Sequence, residues 1–443
     1  KSALNISVVP VNGLGTFSSF AESYTTTFRV AVGLSATTNG NIVNTGNLRS
    51  TGVAIYTWNG TLYARGGYGR NQAGGSEVSC TIPNDWTTNQ IRIVVVTFCS
   101  KHVDDPLLNQ TIIGSNLLFV DGILRGQSRS HNTHQQTDEG GKTSVVNTVG
   151  FGVRTRMSND ELSYGAPTAI KSAQVWYDHP GYLPGYTEDG VNNGDYFIYE
   201  NSNVYHVITD PGSGAIFGIY DIGPNTRPDV RYLMVGGGGG AGGQGADGGG
   251  GGGGILFDDT GVTLASGTYP VTIGAPAFRA NGGNTTFNGY TALGGGEGGT
   301  TKKSIPGGNG GAGGGAARGT IAGTGSQGGD GGDSDANLGG GGGGGGASGQ
   351  DGGVPTDENT GGVGGDGTQY PWGHIGGTAT YYGGGGLAAS KNLNNGDLAA
   401  AGGGGGYRQD GFDIYGGGAY GDGGVDGGIG HITIRLPWTL PTS

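Results

Sequence analysis

The sequence predicts an all-β protein in two parts: a jelly-roll β-sandwich, then a glycine-rich domain of packed polyglycine-II-like strands with short β-strands. Three observations carry this. Residues 1 to about 186 read as short strands separated by turn signals, without a helical period. Of 107 glycines, 28 lie in residues 1–235 and 79 in the last 208. The glycine runs are bracketed by patterned strand segments, which a flexible linker would lack. The boundaries implied are a sandwich over 1–186, a linker over 187–198 and the glycine-rich domain over 199–443.

Within the first part, YTTTFRVAVGL alternates to place Phe28, Val30 and Val32 on one face. GVAIYTWNGTLYARGG has two strand-like arms around Asn59–Gly60, a tight-turn pair that tolerates positive φ. IRIVVVTFCS is almost continuously apolar, so it should be central and covered on both faces. SNLLFVDGILRGQS turns at Asp121–Gly122, and VNTVGFGVRTRM and KSAQVWYDHPG complete the set. The segment LLFVDGILRG, with the later AIKSAQVWYDHPGYLPG, resembles the concanavalin-A-like and laminin-G-like sandwiches over roughly residues 1–186. That superfamily includes lectins, adhesion modules, glycoside hydrolases and structural domains, so the resemblance implies a fold and not a function.

The second part opens with VGGGGGAGGQGADGGGGGGGILF. Ordering glycine is costly, so something must compensate. Collagen is excluded: there is no strict G-X-Y period, and the whole chain has 16 prolines. Extended helices with three residues per turn and no internal hydrogen bonds remain, packed so that backbone amides pair between neighbours. The segments YLMVGGGGG, GGGGILF, YPVTIGA, GGNTTF, TALGGG and GHITIR closely resemble the glycine-rich domain of phage tail-fibre adhesins and bacterial surface proteins. A version also occurs in the ligand-binding region of anaplastic lymphoma kinase. The sequence departs from the usual form at Ala275-Pro276-Ala277. The resemblance implies a rigid extracellular or virion-surface module with variable loops.

A net charge of −12 and only seven lysines argue against nucleic acid or an anionic membrane as main partner. There is no run of about 20 apolar residues to insert into a bilayer. The chain begins KSALNISVV without an initiator Met, which reads as processed or trimmed, and it shows no signal peptide, as expected of a mature secreted protein. Cys80 and Cys99 lie on apparent strands at a spacing that suits neighbouring strands of one sheet; a disulfide and two buried thiols both stay open. N-glycosylation sequons occur at Asn5, Asn59, Asn109 and Asn284.

Chemistry-bearing motifs are few, and no cofactor or metal is implied. No Glu-x-Asp-x-Glu strand of the catalytic sandwich enzymes is present; Asp138–Glu139 and Asp160–Glu161 read as solvated loop acids. A calcium site built from Asp104, Asp105 or Asp160 is the alternative to solvated loop acids. GGKT at 140–143 fails as a phosphate loop because Gln136 stands where glycine is required. The calcium-repeat prefix G-G-x-G-x-D occurs at 242–247, 328–333 and 361–366, but without tandem repeats. His131 and His134 sit in a polar loop without zinc spacing.

Aromatic residues are the remaining candidates for ligand binding. In the sandwich these are Trp58, beside its turn, and Tyr63, with Trp86 and Trp176 as core candidates. In the glycine-rich part they are Trp372, Tyr381, Tyr382, Tyr407, Tyr415 and Tyr420, which read equally as exposed binding loops or as caps of the bundle. The expectation is a non-enzymatic structural protein of a filament or fibre, self-associating, with Lys1–Val11 either pairing with a neighbour or serving as the first strand of its own sandwich. A receptor-binding adhesin for surface carbohydrate or protein is the alternative, and a glycoside hydrolase the third.

Overall fold

The computed structural model describes residues 25–37, 39–45, 53–66, 77–99, 102–105, 110–113, 115–121, 123–129, 149–151, 153–155, 162–164, 170–177, 196–201, 203–209, 216–219, 226–242, 247–265, 267–356, 360–389, 400–405, 410–421 and 425–437. The chain divides into two compact units, one within residues 1–190 and the other over Val191–Pro437. Strand Tyr196–Glu200 begins inside the expected linker and pairs with Asn203–Ile208 of the second unit. No helix among the described residues is long and apolar enough to cross a membrane.

The first unit is a sandwich of two five-stranded antiparallel sheets. One runs, in spatial order, Ile123–Arg129, Ser115–Val120, Ile91–Cys99, Thr25–Gly33 and Ile170–Tyr177. The other runs Val149–Phe151, Gly40–Thr45, Val53–Trp58, Thr61–Gly66 and Glu77–Thr81. Strand Ile91–Cys99 is central, and Val94 to Thr97 are all buried, as its continuous apolar run requires. Phe28, Val30 and Val32 meet Val94, Val96, Leu118 and Val120 in a core closed from the other sheet by Ile55, Leu62, Ala64 and Val78. A bulge between Asn41 and Val43 lets Ile42 and Val43 both turn inward. Cys80 lies on the edge strand of one sheet and Cys99 on the central strand of the other, so the expectation of neighbouring strands is corrected. The spacing that suggested it fits strands of opposite layers equally well. Cys80 carries a free thiol; the side chain of Cys99 lies outside the described residues.

Among the described residues, the second unit holds two main antiparallel sheets and a two-stranded hairpin, Thr368–Tyr370 with Thr380–Tyr382. The larger is ordered Tyr196–Glu200, Asn203–Ile208, His431–Pro437, Thr226–Val235 and Ile255–Ala265. The smaller is Ile216–Ile219, Gly267–Thr272, Thr285–Phe287 and Tyr290–Ala292. Between them Tyr232, Met234, Ile432 and Ile434 pack on Val271, Ile273 and Phe287. The glycine segments grow from the ends of these strands: Val235 leads into Gly236, Gly254 into Ile255 and Gly430 into His431.

The segment 248–254 shows how the glycines are held. Amides three residues apart donate to the same neighbour. Gly248, Gly251 and Gly254 donate to Gly299, Gly296 and Leu293; Gly249 and Gly252 to Gly340 and Gly343; Gly250 and Gly253 to Ala419 and Gly416, at 2.7–3.2 Å. Its carbonyls accept from three further segments. Gly236 and Gly239 donate to Gly254 and Gly251, Ala312 and Gly315 to Gly252 and Gly249, and Gly386 to Gly250. One segment is thus surrounded by six others, and every amide of 248–254 is satisfied away from its own strand. Neighbours this close leave no room for a side chain: a Cβ on Gly252 would collide with the carbonyl of Gly383, and one on Gly250 with that of Gly239.

We expect Gly252→Ala to destabilise the second unit by about 1–3 kcal/mol, the usual cost of overpacking. Ile321→Ala, which removes far more side chain at a position 70% exposed, should change stability by less than about 0.5 kcal/mol. Thermal unfolding of the two variants beside the parent chain is the measurement.

Candidate ligand-binding face

In the strand Val53–Trp58, Ile55 and Thr57 are fully buried. Alternation therefore puts Tyr56 and Trp58 on the outer face of their sheet. Tyr56 lies directly across from Tyr63, and the two rings stack with centroids 5.1 Å apart and planes 14° from parallel. Trp58 is 56% exposed and lies across from Thr61. In the next strand Ser79 pairs with Tyr63 and Thr81 with Thr61; on the other side Asn41 pairs with Tyr56. The face thus combines aromatic planes with hydroxyl and amide groups, which suits the apolar C–H face and equatorial hydroxyls of a pyranose ring.

The turn beside Trp58 is fixed by its surroundings. Asn59 and Gly60 have φ of 47° and 76°, the two positive values of a type I′ hairpin. The Asn59 amide donates to Asn39 Oδ1 at 2.8 Å, and Ile82 donates to the Gly60 carbonyl at 2.8 Å. Trp86, by contrast, belongs to the sandwich core, with the Arg92 guanidinium 4.4 Å from its ring centre.

The aromatic candidates of the second unit are mostly interior, which corrects their reading as exposed loops. The hairpin Thr368–Tyr370 and Thr380–Tyr382, with its connection, lies against one face of the larger sheet. Trp372 is buried there against Phe257 and Tyr205, at 5.2 and 5.9 Å between centroids. Its indole N–H donates to Asp259 Oδ1 at 3.3 Å, an oxygen that also accepts from Arg231 at 2.9 Å. Tyr382, Tyr415 and Tyr420 are buried as well, so none offers a ring face to a ligand. Tyr381 alternates outward and is 42% exposed. Tyr407 lies outside the described residues, as do Asn5, Asn109, Lys1–Val11, His131, His134, Asp138–Glu139, Asp160–Glu161 and the side chains of Asp104, Asp105 and Trp176. Tyr56 is the aromatic that sequence reasoning passed over; its place two residues before Trp58 on the same face was the available signal.

Two buried histidines meet in the second unit, His374 from the hairpin's connection and His431 from the central strand of the larger sheet. His374 Nδ1 is 2.8 Å from the Tyr382 hydroxyl, and the His374 ring packs on Tyr415 and His431 at 5.1 and 5.6 Å. His431 Nδ1–H donates to the carbonyl of Ile414 at 2.6 Å. Ile414 has φ of 71°, a value that β-branched residues rarely adopt, so the buried imidazole helps hold a strained turn. The other ring nitrogen, Nε2, has no hydrogen-bond partner. Burial, with His374 beside it, holds His431 well below the usual imidazole range.

Polar candidates are absorbed into the fold. Asp247, Asp333 and Asp366, the acids of the three calcium-like prefixes, accept backbone N–H groups from Thr301, Ala322 and Ala401. Among the described residues no cluster of three or more His, Cys, Asp or Glu could hold a metal ion. Burial pushes the Cys80 thiol up to about 11, which keeps it protonated and unreactive at neutral pH. Asn59 and Asn284 are both exposed, and Asn284 Oδ1 accepts the amide of Gly294 at 2.9 Å.

A family model described as a glycine-rich domain matches residues 218–437. No curated protein matches the chain. Among solved structures, the binding domain of botulinum neurotoxin serotype D/C is 10% identical, covering 62% of this chain and 59% of that one, with a TM-score of 0.26. The serotype C1 binding domain gives 11% identity, 62% and 59% coverage, and a TM-score of 0.25. Mouse laminin α1 domains LG4-5 give 11%, 61% and 71%, and 0.22. The chain thus spans about three-fifths of the toxin binding-domain chains. The sandwich assignment rests on the strand pairing and not on these likenesses.

The histidine pair generates a pH dependence. Below about pH 6.5, the ordinary value, the unfolded chain takes up a proton at His431 that the folded chain does not. Stability therefore falls as pH drops from 7 to 5, with a slope from this group of up to about 1.4 kcal/mol per pH unit. Melting curves across that range should show the decline in the parent chain, and a flatter profile in His431→Gln.

Proposed function

We propose that this chain is a non-catalytic extracellular structural protein, a subunit of a surface filament or fibre. In this reading its glycine-rich half, about residues 199–443, is a rigid bundle of polyglycine-II-like helices. Residues 1–186 form the sandwich, and 187–198 the connection. The observation that carries the proposal is the three-residue recurrence of amide donors along 248–254, each set aimed at a different neighbour. Three residues per turn without internal hydrogen bonds is the geometry of such a helix. A core tied together by backbone bonds suits a load-bearing spacer, and its exposed residues can vary without disturbing it.

A second reading, adhesion, is favoured by the exposed Trp58 beside the stacked Tyr56–Tyr63 pair. The ligand class that fits is a surface carbohydrate presenting the apolar face of a pyranose. The same combination would serve the receptor-binding end of a phage or viral fibre. The two readings are compatible: a rigid shaft and an adhesive sandwich can share one chain.

Electron microscopy of native, source-purified material should show regular filaments with this chain as the repeating unit. Discrete, non-assembling particles would remove the filament reading. For adhesion, binding to a panel of immobilised glycans should fall at least about 10-fold, roughly 1.4 kcal/mol, in Trp58→Ala with unchanged melting temperature. An unchanged panel would remove the carbohydrate reading at this face.

A further inference from the structure

We propose that Asn59 is a site of N-linked glycosylation whose first sugar packs on the indole of Trp58. All four sequons satisfy the same Asn-x-Ser/Thr rule, and sequence alone ranks them equally. Among the described residues the structure separates Asn59 from Asn284. Asn59 is exposed at the tip of a two-residue turn. Trp58, immediately before it, is 56% exposed, and Thr61, the hydroxyl residue of the sequon, lies directly across from Trp58. The aromatic ring, the acceptor amide and the recognition hydroxyl are therefore gathered at one end of a single hairpin.

The turn is already held through backbone groups, by Asn39 Oδ1 on the Asn59 amide and by Ile82 on the Gly60 carbonyl. These contacts leave the Asn59 side-chain nitrogen uninvolved in holding the turn, so it can be modified with the hairpin intact. Asn284 differs: its side-chain oxygen accepts the Gly294 amide and so takes part in building the glycine-rich half.

The chemistry is a glycosyl transfer. The Asn59 Nδ2 bonds to the anomeric carbon of an oligosaccharide carried on a polyprenyl pyrophosphate. The C–O bond to the pyrophosphate breaks, that group leaves with the electron pair, and one Nδ2 proton is released. Nothing is oxidised or reduced, and the donor and an oligosaccharyltransferase come from the secretory compartment. Once attached, the first sugar lies within reach of Trp58 and removes part of its exposed apolar surface from water. A glycan there also covers the aromatic face proposed for adhesion, so occupancy at Asn59 would set whether that face is open.

This inference rests on the extracellular reading, and the test separates the two. The full chain is secreted from a eukaryotic host, which supplies the compartment whatever the native one is. Intact glycopeptides are then read by mass spectrometry, because an Asn-Gly pair also converts to Asp unaided. The expected result is a hexosamine-bearing peptide at Asn59, at higher occupancy than Asn284, lost in Thr61→Ala and kept in Thr61→Ser. Enzymatic removal of the glycan should lower the melting temperature by about 2–4 °C in the parent chain and by much less in Trp58→Ala. A secreted chain unmodified at Asn59 overturns the proposal. Equal melting shifts with and without Trp58 overturn the packing of the sugar on the indole.

Discussion

A backbone amide in the glycine-rich half is satisfied only if another segment passes within hydrogen-bonding distance of it. Everything else in that half follows from this. Gly252 reaches Gly343 and receives Ala312, while the residues on either side of it are bonded to different segments. Bonding in several directions from one chain requires neighbours on all sides, and neighbours that close exclude Cβ atoms from the shared space. Glycine is thus the structural material here. The few buried alanines, such as Ala312, Ala316 and Ala419, mark places where a methyl group is accommodated. The resulting interior is polar and dense, held by bonds worth about 0.5–1.5 kcal/mol each more than by apolar burial.

Such a lattice has an outer layer whose amides lack a further segment. Aspartate and asparagine side chains take the missing carbonyl's place. Asn309 Oδ1 accepts from Thr324, Asp330 from Gly325 and Asp351 from Asp330. Asp410 and Asp413 do the same for Asp426 and Ile429. The acidity of the chain thereby has a structural use: a carboxylate is a strong acceptor for a backbone N–H, and it keeps the bundle surface hydrated and charged. Asp333 and Asp366 of the calcium-like prefixes serve backbone amides in the same way, whereas Asp247 does so while fully buried.

Much of the architecture was legible in local pattern. Alternation located the strand containing Phe28, Val30 and Val32, the apolar run found the central strand Ile91–Cys99, and Asn59–Gly60 announced its hairpin. The exposure of Trp58 could also be read, because a residue flanking a two-residue turn stands at the end of its sheet. What could not be read was the partner of each glycine segment. Gly249 and Gly340 are far apart in sequence and carry no side chain to encode their pairing; register is decided by the whole lattice closing at once. The aromatic segments failed for a related reason. Trp372, Tyr382 and Tyr415 lie among glycines, which resembles a loop, yet those glycines form the wall against which the rings pack.

The strand His431–Pro437 lies at the centre of its sheet, between Asn203–Ile208 and Thr226–Val235. Both partners are made more than 190 residues earlier. A ribosome releasing this chain from its N-terminus exposes two strands with an unfilled gap between them until residues 431–437 have emerged. The glycine segments, which have almost no apolar surface to collapse on, are expected to stay extended through that interval. Closure of the sheet is therefore timed by the arrival of His431–Pro437. A nonsense mutation just before His431 would therefore cost the sheet its central strand, and with it the base from which the glycine segments are hung.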